Sequence, residues 1–153
     1  MIELRFERRI RADAERVFGL LADLRDYDRW LPPSAAFHGT TRISGGPIGV
    51  GTTYVEQSPA GVRHGRVTAL VRPTRLDFEQ PMTLRPAILG EIGIKLFHTL
   101  DHQEVQSVHL LRRLELTPRG PVTWFMPLAV RAFRAENERM MTLLAAFAEG
   151  AAR

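Results

Sequence analysis

The sequence predicts an α+β fold in which a seven-stranded antiparallel sheet is covered by a long C-terminal helix, with two short helices after the first strand. Three observations carry that expectation. A strand of strict period two opens the chain, short β-rich segments separated by turn clusters fill its middle, and one long amphipathic stretch closes it.

In the opening strand Ile2, Leu4, Phe6, Arg8 and Ile10 alternate with Glu3, Arg5, Glu7 and Arg9, a period of two with one charged face. Asp13 is placed to cap a helix whose first turn holds Glu15, where the helix dipole favours a carboxylate. Val17, Leu20, Leu21 and Leu24 then form one apolar stripe. A second short helix runs from Leu24 to about Trp30 and stops before Pro32-Pro33. From Phe37 to Thr117 the clusters Gly45-Gly46-Pro47, Pro59-Ala60-Gly61 and Arg72-Pro73-Thr74 separate strands predicted at 37–44, 50–57, 63–71 and 75–80. Two longer strands follow, with Ile92, Ile94, Leu96, His98 and Leu100 on one face of the first. Val108, Leu110, Arg112, Leu114 and Leu116 share a face of the second. A three-residue turn at His102–Glu104 would set His98 opposite Val108 and Arg112 opposite Ile94, about 13 Å out of step. The closing helix, Thr123 to about Glu149, aligns Met126, Val130, Phe133, Asn137, Met140, Leu144 and Phe147, with Pro127 tolerated only in its first turn.

Composition narrows the function. At 153 residues with 44% hydrophobic and 25% charged residues, the chain has the size and make-up of one globular domain spanning 1–153. It contains no cysteine, which removes disulfides, thiol catalysis and cysteine-metal sites and makes a reducing cytoplasm the expected location. No apolar run reaches the roughly 18 residues of a membrane span, and the N-terminus offers no signal-peptide core. The net charge is +4, but the basic residues are dispersed and Lys95 is the only lysine, a skew that reads as codon bias rather than a nucleic-acid footprint. Histidine spacing fits no metal site, and no phosphate loop or nucleophile elbow occurs. No cofactor is expected.

The order of elements, with Arg11-Ala12-Asp13-Ala14-Glu15-Arg16-Val17-Phe18, Leu21-Ala22-Asp23, Tyr27-Asp28-Arg29-Trp30 and Gly49-Val50-Gly51-Thr52, resembles the START-like, or SRPBCC, helix-grip superfamily. The stretch Val67 to Phe78 and the run Leu114-Glu115-Leu116-Thr117-Pro118 resemble its later strands. The likeness is to its polyketide cyclase/dehydrase and lipid-transport branch. That resemblance implies a curved sheet gripping the helix around a cavity for a small hydrophobic molecule. It does not choose among the carriers, cyclases, dehydrases and co-chaperone modules that share such folds.

Seven residues are candidates for contact with a ligand: Tyr54, His98, Leu110, Arg112, Phe133, Asn137 and Met140. His98 is either an acid–base group in a dry pocket or a buried histidine satisfied by a neighbour. Arg112, inward by parity with Leu110 and Leu114, demands a carboxylate of the protein or an acidic or enolate ligand, unless a bulge turns it outward. Asn137, polar on an apolar stripe, either binds a ligand or spans to a strand. Tyr54 and Glu56 share one face of their strand, and either that face or the face of Thr53 and Val55 looks inward. Phe133 and Met140 are expected to wall a cavity. Trp124, Phe125, Met126 and Leu128 either pack the helix start or offer a surface for transient membrane contact. Two functions fit: binding or carrying a lipid-, quinone- or polyketide-like molecule, or a cyclase/dehydrase using His98, Arg112 or Tyr54 for proton transfer.

Overall fold

A computed structural model describes residues 1–150. The chain forms β1 (Ile2–Ile10), α1 (Ala14–Ala22), a short 3₁₀ helix (Leu24–Arg29), β2 (Thr40–Thr41), β3 (Thr53–Ser58), β4 (Gly61–Val71) and β5 (Arg75–Glu79). It continues through β6 (Met82–Leu84), a 3₁₀ turn (Ala87–Leu89), β7 (Glu91–Glu104), β8 (Ser107–Arg119), a second 3₁₀ turn (Pro121–Phe125) and α2 (Met126–Gly150). The strands make one antiparallel sheet of order β1-β8-β7-β5-β4-β3-β2, with β6 joining β4 to β7.

The eighth strand comes from an interruption. β5 and β6 occupy the same lane between β4 and β7, and the break falls at Gln80-Pro81. Proline has no N–H for the ladder, so one strand becomes two. The strand predicted over 37–44 shrinks to Thr40–Thr41 because Gly39 (φ 99°) and Arg42 (φ 51°) take left-handed backbone on either side.

The largest departure from expectation is the β7–β8 register. His98 pairs directly with Arg112, Ile94 with Leu116 and Leu100 with Leu110. The expected offset is therefore corrected by four residues. The strands run past their apolar pattern into an exposed polar extension, Asp101–Glu104, and turn at Val105-Gln106 with Gln106 at φ 61°. A two-residue turn alone would put the apolar sets on opposite faces. An extra residue between His102 and Glu104, a β-bulge, restores their agreement.

Local chemistry explains the helices. Asp13 caps α1 by accepting from the Arg16 N–H at 2.7 Å. The carbonyls at the other end of α1, which no later helical residue reaches, accept from side chains: Leu21 from the Tyr27 hydroxyl and Leu20 from Trp30 Nε1. α2 begins after Pro121–Phe125, with Pro127 in its first turn. Met126, Asn137, Met140 and Leu144 of the expected stripe are buried, while Val130, Phe133 and Phe147 are half-buried. Burial along α2 concentrates from Asn137 to Ala148, where the helix lies over β1 and α1. The stretch from Pro127 to Glu136 has no fully buried residue, and its inner face borders a cavity.

Candidate functional site

The space between the concave face of the sheet and the first half of α2 is a cavity of about 330 Å³, within the usual range for small-molecule sites. Leu24, Phe37, Phe78, Leu96, Leu114 and Phe133 make most of its wall apolar. Ala129 and Ala132 line it from the helix, and their short side chains leave the space unfilled.

Of the candidate residues, Tyr54, Arg112, Phe133, Asn137 and Met140 line this cavity. His98 and Leu110, both fully buried, lie behind the lining. The face of β3 left open by the sequence is that of Tyr54 and Glu56, both buried, with Thr53 exposed and Val55 half-buried. Gly65 is what lets Tyr54 lie there. It pairs with Tyr54 across β3 and β4, and a Cβ at Gly65 would stand 2.1 Å from the Tyr54 ring.

The polar centre is a chain of four hydrogen bonds through Arg112. His98 Nδ1 donates to the Leu76 carbonyl at 3.0 Å, which leaves the Nε2 lone pair free to accept from Arg112 Nη1 at 2.7 Å. Arg112 Nε donates to Asn137 Oδ1 at 2.7 Å, and Asn137 Nδ2 donates to the Phe133 carbonyl one helical turn earlier at 2.8 Å. The directions are mutually consistent only if His98 is neutral and carries its proton on Nδ1. Burial, and then the Arg112 charge beside it, push the His98 pKa down to about 3. Burial lowers the Arg112 pKa to about 10, opposed by Tyr27, Glu56 and Tyr54, so the guanidinium remains charged at neutral pH.

Around this centre the other polar groups are paired. The Tyr54 hydroxyl donates to Gln80 Oε1 at 2.6 Å, and burial, reinforced by Glu56, raises the pKa of the phenol well above its ordinary value. Glu56 accepts from Arg63 at 3.2 Å and from the Thr40 hydroxyl at 3.2 Å. Glu136 accepts from the Ser34 hydroxyl at 2.9 Å and from Arg139 at 3.0 Å. Tyr27, Gln80 and Arg63 also line the cavity, beyond the candidates legible in the sequence. Arg63 has a signal in the sequence, because the Pro59-Ala60 turn puts Glu56 and Arg63 directly opposite each other. Among the described residues there is no group of three metal-ligating side chains, and no helix is long and apolar enough to cross a membrane.

Outside the cavity, Trp124, Phe125 and Leu128 are exposed, interleaved in the chain with Val122 and Ala129, which line it; Met126 is buried.

Direct contact means that His98 and Arg112 act as a coupled pair rather than as distant sites. In a double-mutant cycle by urea denaturation, His98→Ala and Arg112→Ala should each destabilise the protein. The double variant should lose less than the sum, with a coupling of about 0.5–3 kcal/mol. Additivity within about 0.5 kcal/mol would contradict the bond.

The chain is similar in fold to the Zhui aromatase/cyclase from a Streptomyces species, with TM-score 0.78 and 15% identity over 99% of this chain and 96% of that one. Norcoclaurine synthase from Thalictrum flavum, solved as a point mutant with a transition state analogue, gives TM-score 0.73 and 13% identity, covering 99% and 96% of the two chains. A START superfamily protein from Mycobacterium smegmatis gives 0.69 and 13%, covering 97% of each. No curated protein matches the sequence. Residues 1–149 match the family described as polyketide cyclase/dehydrase and lipid transport, and the chain belongs to that family.

Proposed function

We propose that this protein binds or carries a small hydrophobic molecule in the cavity between sheet and α2, acting as a single unit. The observation that carries the proposal is how the polar groups around the cavity are committed. Tyr54 donates to Gln80, Glu56 is paired with Arg63, and His98 is turned away behind Arg112 with its free lone pair occupied. A proton-transfer catalyst needs an acid or base free to reach substrate, and a carrier needs only the apolar space. The cyclase/dehydrase alternative draws support from the Arg112 guanidinium, a fixed positive charge of the kind that stabilises an enolate.

Transient contact with an anionic membrane belongs to the same reading. Trp124, Phe125 and Leu128 present an aromatic and aliphatic surface beside the cavity wall, and the exposed Arg131 follows Leu128 by one helical turn. Vesicles containing phosphatidylserine should co-float the protein, and Trp124→Ala together with Leu128→Ala should abolish co-flotation. Recovery unaffected by these substitutions would contradict this surface.

Met140 lines the cavity, and a tryptophan there would occupy ligand space rather than crush a solid core. Met140→Trp should block uptake of the neutral dye phenylnaphthylamine while changing stability by less than the roughly 1–3 kcal/mol typical of overpacking. Unchanged uptake with marked destabilisation would reject the cavity as the binding site. Mass spectrometry of molecules co-purifying with the protein, followed by incubation with the one recovered, separates carrier from enzyme. Return of the molecule unaltered supports the carrier; a changed product supports the alternative.

A further inference from the structure

We infer that the molecule taken up by the cavity is an apolar organic acid whose anionic oxygen sits against the Arg112 guanidinium. The inference rests on the binding function proposed above and names the chemical class of its ligand.

The first ground is an imbalance of charge. Arg112 is 6% exposed, and among the described residues no carboxylate lies within salt-bridge distance of it. Its two side-chain partners, His98 and Asn137, are both neutral. The two carboxylates in the cavity wall are engaged with other cations, Glu56 with Arg63 and Glu136 with Arg139. Each of those pairs is balanced by itself, which leaves the Arg112 charge without a directly bonded counterion; Glu56 acts on it only through space and is itself held by Arg63. Removing such a charge from water is costly unless an opposite charge and further hydrogen bonds offset it.

The second ground is unused hydrogen-bonding capacity. A guanidinium carries five N–H donors, and here Nε and Nη1 hold Asn137 and His98. Nη2 has no partner among the described residues. It is also not sealed in, because the only fully occluded side-chain polar atom without a partner among the described residues is Asp77 Oδ1. Arg112 is buried from bulk solvent and forms part of the cavity wall, so the remaining surface of its guanidinium is presented to the cavity.

The third ground is orientation. His98, itself fixed by the Leu76 carbonyl, and Asn137, fixed by the Phe133 carbonyl, hold the guanidinium from a strand and from the helix. A pre-set planar donor recognises a carboxylate or similar oxyanion at little further entropic cost, and charge-assisted bonds of this kind are the strong ones. The rest of the wall is mostly apolar, so the complementary molecule has one anionic end and a hydrocarbon or aromatic body.

Paired probes that share a ring system but differ in charge test this. The full-length protein is titrated with neutral phenylnaphthylamine and with anilinonaphthalene sulfonate, its anionic counterpart. The wild type should bind the anionic probe at least about tenfold more tightly. Arg112→Met should lower affinity for the anionic probe about tenfold more than for the neutral one. Anionic binding that survives Arg112→Met undiminished would place it on a surface arginine and overturn the inference. Should that variant fail to fold, displacement of the neutral dye from the wild type by naphthoate and by methyl naphthoate decides. Displacement at lower concentration by the acid supports the inference, and equal potency overturns it. Binding of neutral compounds without preference for acids defeats the inference alone. Failure of the wild type to bind any probe defeats the binding function and the inference together.

Discussion

A charged guanidinium enclosed between sheet and helix is the constraint on which the interior depends. Arg112 points inward from the middle of β8, and neutral groups from separate parts of the chain hold it by hydrogen bonds, with no carboxylate among them. β7 supplies the His98 lone pair, β5 supplies the carbonyl that fixes the His98 tautomer, and α2 supplies the Asn137 amide. Hydrogen bonds to a charged group contribute about 1.5–3 kcal/mol each, more than a neutral pair. A slip of β7 against β8 or a rotation of α2 would break them and strand a buried charge. The network therefore favours one strand register and one helix orientation more sharply than hydrophobic packing, which tolerates small displacements, can do alone.

The same arrangement divides α2 into two parts. From Asn137 to Ala148 the helix is packed, with Met141, Leu144 and Ala148 buried. Before Asn137 the alanines and the half-buried Phe133 leave the cavity open beneath them. Asn137 stands at the junction, closing the packed part and presenting its amide to Arg112. Local fit elsewhere keeps the space clear. Tyr27 and Trp30 finish α1 through its last carbonyls, and Gly65 yields its side-chain volume to the Tyr54 ring.

Much of the fold was legible because alternation and helical spacing report burial directly. Parity put Arg112 inward, and the stripe on α2 put Asn137 on the buried face; both are in the lining. The contact between Arg112 and His98 was not legible. It depends on a register set by a polar strand extension and a bulge, and hydrophobic pattern says nothing about where exposed strands stop. The face of β3 was ambiguous from β3 alone, since each face mixes a polar residue with a larger one. Gly65, opposite Tyr54 on the next strand, carried the missing signal. Gln80 was overlooked as the last residue of a predicted strand, and Tyr27 as part of a short helix, although both reach the cavity.

Nitrogen-15 NMR of the His98 ring through a pH titration tests the central claim most directly. A buried charge held by the histidine lone pair requires neutral imidazole with the proton on Nδ1, and the depressed pKa of about 3 keeps it so through mildly acidic pH. The ring nitrogens should show one pyrrole-type Nδ1 and one pyridine-type Nε2, unchanged from pH 8 down to about pH 5, where an ordinary histidine of pKa near 6.5 is almost fully protonated. A His98 that titrates near 6.5, or that carries its proton on Nε2, would contradict the network.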